Sequence, residues 1–293
     1  LVPGATFGGG RQDIVIAVFD SSGTRLWSRQ IGGANEEDCA ALAIDDAGDV
    51  YAAGRYDGVL SVAGSPLPNP GSSFRRWIWV AKFAGSSGNP LADASFGSGN
   101  GNHRPWSMTV DAAGKLVLSG SLSNTLNFGP TSATLLTSAG ATDGFVAKLD
   151  PGTTPPFGHL WSTRIGGAAA DEARGVAVDA SGDVIAVGLM NGTTTGAATL
   201  TSSNPTYPSA FVIKLTGAGG STQYPAPGGA VYGNATGSVN ASKLAVNRHG
   251  TGSVKDLVVF GGDFAGSLDF GPSTVPLDAA IQEEFLVFAK LLP

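Results

Sequence analysis

The sequence predicts an all-β chain of repeated four-stranded antiparallel sheets. Three observations predict it. A unit of about 67 residues recurs, with "LWSRQIGGANEEDCAALAIDDAGDVYAAG" (26 to 54) matched without a gap by "LWSTRIGGAAADEARGVAVDASGDVIAVG" (160 to 188). The apolar runs are short and β-branched, with no sustained helical period. Forty-four Gly and 17 Pro punctuate those runs, as turns between short strands require.

The two matched stretches are two repeats apart. An intermediate copy is "WSMTVDAAGKLVLSG" (106 to 120), and a degraded fourth is "SKLAVNRHGTGSVKDLVVFGG" (242 to 262). Asp45, Asp111, Asp179 and Asn247 mark the beat. A second motif keeps the same beat: "IVIAVFD" (14 to 20), "IWVAKFA" (78 to 84), "GFVAKLD" (144 to 150), "AFVIKLT" (210 to 216) and "FLVFAKLL" (285 to 292).

Each unit therefore offers four strands. In the clearest copies strand A is 175 to 179, B is 183 to 188, C is 145 to 150 and D is 159 to 165. An Asp-x-x-Gly turn joins A to B, because the Asp side chain can accept backbone N–H groups and Gly can take a positive φ. Strands A and B are apolar at nearly every position, which requires cover on both faces. Antiparallel sheets covered on both faces by copies of themselves describe a β-propeller. The prediction is a single domain, residues 1–293, with repeats at about 13–76, 77–143, 144–209 and 210–293. Strands C and D alone stand at the N-terminus, and A, B and C at the C-terminus. The count of C strands exceeds the others by one. The last blade is expected to take its outer strand, and its C strand too, from residues 13 to 31. The surplus strand implies either that an N-terminal part is missing from this chain and the ring is larger, or that the strand pairs with another molecule.

The pattern "FVAKLD…LWSTRIGG…DEARGVAVDASGDVIAVG" resembles the seven-bladed β-propeller repeat family (SBBP-like repeats) common in secreted proteins of myxobacteria and other bacteria. The resemblance implies a propeller and an exported location. It carries over no catalytic residues.

Composition narrows the function. The chain carries a net charge of -6, which argues against nucleic acid and anionic membranes as partners. No run reaches the length of a membrane span, so the chain is expected not to span a bilayer. The single Cys39 excludes an intrachain disulfide framework and reads as a small buried hydrophobe. The opening "LVPG" and the low charge suggest a processed, exported protein, extracellular or at the cell surface.

No familiar catalytic motif is present. His103, His159 and His249 fall in different loops. The lysines of strand C, Lys82, Lys148, Lys214 and Lys290, recur once per repeat and read as structural. Trp27 and Trp161 read as packing between sheets. Glu37, Asp38, Asp171 and Glu172 are weighed as Ca²⁺ ligands, but they lack any known Ca²⁺ loop spacing. No other cofactor is expected. The long B–C segments differ between copies, and such loops carry binding on rigid scaffolds. Arg55, Tyr56, Asp57, Phe74, Arg75, Arg76 and Trp77 are the richest aromatic–Arg set, with Tyr207 and Phe264 as lesser candidates. The reading is a non-catalytic structural or interaction scaffold. Its partners are itself or other cell-surface proteins through edge strands. The alternative is a glycan-binding propeller using the B–C loop face; lyase or hydrolase chemistry is the third reading.

Overall fold

In the computed structural model, residues 12–33, 35–68, 75–129, 131, 134–202, 204, 206–224, 230–233, 237–248, 258–268 and 277–288 are described. They form antiparallel β-sheets, with no α-helix among them.

A hairpin comes first, β1 (Ile14–Phe19) and β2 (Arg25–Ile31), forming a two-stranded sheet. The next sheet is β3 (Ala41–Ile44), β4 (Val50–Tyr56), β5 (Trp77–Phe83) and β6 (Pro90–Phe96), in that spatial order. The third holds β7 (Arg104–Val110) and β8 (Leu116–Leu122), then, past the small hairpin of β9 (Thr125–Asn127) and β10 (Leu135–Thr137), β11 (Asp143–Asp150) and β12 (Gly158–Gly166). The fourth holds β13 (Glu172–Val178) and β14 (Val184–Met190), then β16 (Ser209–Leu215), β17 (Thr222–Tyr224) and β18 (Ala230–Tyr232). Between them β15 (Thr195–Gly196) leaves its own sheet and pairs with the edge of β12. The fifth sheet is β19 (Val239–Val246), β20 (Val258–Leu268) and β21 (Leu277–Phe288).

The predicted strands A to D are thus found, one to three residues longer at some ends. The sheets stack face to face in chain order, each interface with its own apolar core. Ile14, Ile16 and Trp27 meet Trp79, Ala81 and Phe83. Tyr51, Ile78 and Val80 meet Leu116, Leu118 and Phe145. Val117, Val146 and Trp161 meet Val184, Ala186 and Phe211. Ile185, Val187 and Val212 meet Val239 and Phe260. Along β14 the alternation is direct: Val184 and Ala186 face one neighbour, Ile185 and Val187 the other. That is why the strand is apolar throughout.

The first strands of the sheets are neighbours, β3 beside β7, β7 beside β13 and β13 beside β19. A bulge recurs in them, between Pro105 and Ser107 in β7, Ala173 and Gly175 in β13, and Ala241 and Lys243 in β19. It drives the carbonyl just before it against the next strand. A Cβ on Gly54, Gly120, Gly188 or Gly262 would collide with the carbonyl of Asp38, Arg104, Glu172 or Asn240. Only glycine fits at that one position of each second strand.

The opposite end of three of the sheets is closed by the Asp-x-x-Gly turn. Asp45, Asp111 and Asp179 each accept two backbone N–H groups through Oδ1, at 2.8–3.1 Å. Gly48, Gly114 and Gly182 take φ of 85°, 73° and 85°. The Oδ2 atoms bind the strand-C lysines, Lys82 at 3.1 Å, Lys148 at 2.7 Å and Lys214 at 2.7 Å. These lysines are therefore ion-paired inside their own sheets, and Lys148 is buried. Val18 takes the lysine position in β1, which has no such turn in its sheet. Trp27 and Trp161 are buried between sheets and donate from Nε1 to the carbonyls of Gly85 (2.6 Å) and Gly217 (3.0 Å). Cys39 differs from expectation. It is exposed, because it lies on the crossing before β3 rather than in the strand.

The chain ends also differ from expectation. The hairpin β1–β2 does not complete the last sheet; β21 occupies the place beside β20. Strand β1 resembles β5, β11 and β16 in sequence, yet among the described residues β2 is the strand it pairs with. Val15 and Phe19 are 56% and 57% exposed, where the corresponding Phe211 and Leu215 are fully buried. On β3, Leu42 and Ile44 are 58% and 66% exposed, where Val176 and Val178 of β13 are 4% and 3% exposed. The cause is common. Among the described residues the first sheet has no inner strands to cover β3 and flank β1.

Gly188→Ala should lower the unfolding free energy by about 1–3 kcal/mol in chemical denaturation, the range of an overpacked core site. Gly182→Ala has open space around it and should cost about 1 kcal/mol from its positive φ alone. Equal costs would show that the carbonyl contact at Gly188 is not the constraint.

Candidate functional site

One polar residue stands at or just before the start of each inner strand, Asp38, Arg104, Glu172 and Asn240, the last three next to the bulges. Three of the four have a fixed partner. Asp38 accepts from the Arg55 backbone N–H (3.0 Å) and from Arg55 Nε (2.8 Å). Glu172 accepts from Arg174 Nε at 2.7 Å. Asn240 donates from Nδ2 to Asp263 Oδ2 at 2.7 Å. Arg104 instead lies over Trp106, its guanidinium carbon 4.0 Å from the ring centroid. The Arg174 guanidinium carbon is 5.3 Å from the same centroid. Trp106 Nε1 donates to Ser121 Oγ at 3.3 Å. Arg104 Nε is shielded from solvent with no hydrogen-bond partner. Burial lowers the affinity of Arg104 for its proton, and the positive Arg55 adds to this, with Asp38 and Glu172 opposing. The mouth of the inner strands thus gathers three guanidiniums (Arg55, Arg104, Arg174), three carboxylates (Asp38, Glu172, Asp263) and an indole.

One residue before each of these positions lies a buried one: Glu37, His103, Asp171 and Val239. The carboxylates hold the crossing from the preceding sheet. Glu37 Oε2 accepts the Gly33 N–H at 3.1 Å, and Asp171 Oδ2 the Gly167 N–H at 2.7 Å. Asp171 Oδ1 accepts the Asn191 N–H at 2.8 Å. Burial raises the pKa of both carboxyls, opposed by these N–H donors. The weighed Ca²⁺ candidates are therefore engaged by backbone amides or by arginines. Among the described residues no group of three or more His, Cys, Asp or Glu is placed to hold a metal ion.

His103 fills the same place without a charge partner. Neither ring nitrogen makes a well-formed hydrogen bond. Burial pushes its pKa down to about 4, weakly opposed by the Thr125 carbonyl. His159 lies elsewhere, in a cleft of about 690 Å³ lined in part by Pro68, Phe96, Phe128, Pro155 and Phe157. Its ring stacks on Phe128, and Nε2 meets Ser162 Oγ at 3.0 Å. His249, Lys290 and Phe74 lie outside the described residues.

The loop candidates are not brought into one patch. Arg55 belongs to the mouth. Tyr56 is fully buried, its hydroxyl donating to the Pro68 carbonyl at 2.6 Å. Asp57 is buried and accepts the Glu36 N–H at 3.1 Å. Arg76 forms an ion pair with Glu36. Arg75 and Trp77 are half-buried. Tyr207 is 40% exposed, two sheets away, and Phe264 is buried in the last interface. The residues missed by sequence reasoning are Arg104 and Trp106 with Arg174. The signal was available in the beat, since position 104 aligns with Asp38 and Glu172.

No helix among the described residues is long and apolar enough to cross a membrane. The chain matches no protein-family model and no curated protein sequence.

A pH dependence follows from His103. Its folded pKa of about 4 lies below the ordinary value of 6.5, so the unfolded chain binds more protons between them. Its stabilisation is complete above pH 6.5 and is lost as the pH falls through 4. The loss should approach ~3 kcal/mol. Comparing urea unfolding of wild type and His103→Gln across this window isolates the term. Parallel curves would contradict it.

Proposed function

We propose that the chain is a non-catalytic β-propeller scaffold that works by association, with the split first sheet as its connector. The family resemblance supports the propeller and an exported, cell-surface setting, as does a surface poor in charge. The carrying observation is the unfinished sheet β1–β2. Val15, Phe19, Leu42 and Ile44 are exposed where their counterparts are buried. The edge of β1 away from β2 pairs with no described strand.

The occupant that fits is a second copy of the chain. Its inner strands β19 and β20 are the A and B strands that β1–β2 lacks. Docking β1 beside β20 of the partner, with β21 displaced from that edge, would build one four-stranded sheet from two chains. The partner's β19–β20 hairpin would cover Leu42 and Ile44. The partner's fourth sheet would cover Val15 and Phe19. The contact is head to tail, so it propagates into rings or filaments. Strand addition of this kind draws on backbone hydrogen bonds as well as apolar burial. Glycan binding has less to stand on, because Tyr56 is in the core and the Trp106 ring already has two arginines, Arg104 and Arg174, close to it.

Size-exclusion chromatography with light scattering should show concentration-dependent oligomers. Val15→Lys places a charge on the exposed face of the edge strand and should weaken association at least tenfold while the fold persists. A protein that stays monomeric at high concentration would overturn the proposal.

A further inference from the structure

We infer that the outer edge of β6 is a docking site for an extended peptide in which apolar and basic residues alternate. The inference concerns a different strand edge from β1 and does not depend on how the chain associates. The third sheet shows what the fold accepts at this place. Its outer strand β12 is extended by β15, which comes from the following repeat, with Ile165 beside Gly196 and Gly166 beside Thr195. In the second sheet Phe96 holds the place of Ile165, since Ile78 pairs with Phe96 as Gly144 pairs with Ile165. The segment of the following repeat that would extend β6 in the same way is β9, and it pairs with β10 instead. Strand β6 is therefore the last of its sheet, with no described strand on its outer side.

That edge borders the cleft of about 690 Å³, which residues 93–97 line consecutively. The exposed Pro68 and Pro155 line it too, together with the buried Phe128 and Phe157. Proline has no backbone N–H, so these two residues cannot pair with the edge as donors. Strand geometry then sets the chemistry of the occupant. Ala94 and Phe96 face the third sheet, in one core with Phe128 and Phe157. Asp93 lies on the other face of the strand, where its Oδ2 accepts the Ala63 N–H at 2.7 Å. No described lysine or arginine forms an ion pair with it. A strand added beside β6 sends successive side chains to the same two faces. One set meets the phenylalanines and the next approaches an unmatched carboxylate. The net charge of -6 favours a basic partner as well.

The test is calorimetric titration of the full chain with capped heptapeptides of leucine and lysine. The strictly alternating peptide should bind saturably. A peptide of the same composition with its lysines in one block, and an alternating peptide with glutamate for lysine, should each bind at least tenfold more weakly. Methylating the backbone nitrogens of the leucines or of the lysines should abolish binding in one case and spare it in the other, because alternate amides of a strand face one side. With the alternating peptide bound, amide exchange should slow at residues 92–97 and stay unchanged along β1. Asp93→Asn keeps an oxygen for the Ala63 N–H and should weaken binding about threefold to fivefold at low salt. Should that variant fail to fold, the glutamate peptide tests the same charge on the wild-type chain. Absence of saturable binding, equal binding of the block or glutamate peptide, or binding that survives both methylations would each overturn the inference. So would protection of β1 in place of β6, or unchanged binding by Asp93→Asn.

Discussion

The approach of one carbonyl to one glycine organises this molecule. In each of four sheets a carbonyl at the start of the inner strand presses on a glycine of the next strand, at Gly54, Gly120, Gly188 and Gly262. No side chain larger than hydrogen can stand between them. The contact accompanies the bulge that shifts the register of the inner strand. The bulge in turn brings Arg104, Glu172 and Asn240 to the mouth, where Asp38 joins them. At the far end of three of these sheets the Asp turn and the strand-C lysine lock the same strands together. Between these two fixtures, each sheet can bury apolar side chains on both faces.

Much of this is legible in the sequence because it recurs. The glycine, the Asp turn and the lysine return in successive repeats, and recurrence exposes a backbone requirement. The strands B and C are read almost to their ends, since their apolar runs are bounded by turn residues. The mouth is hidden for the opposite reason. Its four positions carry Asp, Arg, Glu and Asn, so they look like drift in a loop rather than one place in space. Tyr56 and Phe264 mislead in another way. Each lies at or near the point where strand B passes into the variable segment, and each stays in the buried register of β4 or β20. The pairing of β15 with β12 could not be read either, because a two-residue strand leaves no periodic pattern.

The repeat also explains what is unfinished. A sheet in the middle of the stack is covered by both neighbours, and its strand composition reflects this. The hairpin β1–β2 has the composition of a covered sheet but, among the described residues, one neighbouring sheet. Its apolar residues are therefore exposed by topology rather than by sequence. The same sequence pattern that buries Phe211 and Val176 exposes Val15 and Leu42. An interface built this way needs no dedicated surface motif, because it reuses the pairing that joins strands B and C inside every complete sheet.

Amide hydrogen exchange along β1, followed as protein concentration rises, tests this most directly. In dilute protein the outward amides of Ile14–Phe19 should exchange like an unpaired edge, while those of β5 and β16 stay protected. At high concentration β1 should gain protection matching β5. Protection of the whole of β1 in dilute protein, or no change with concentration, would contradict the split sheet as the connector.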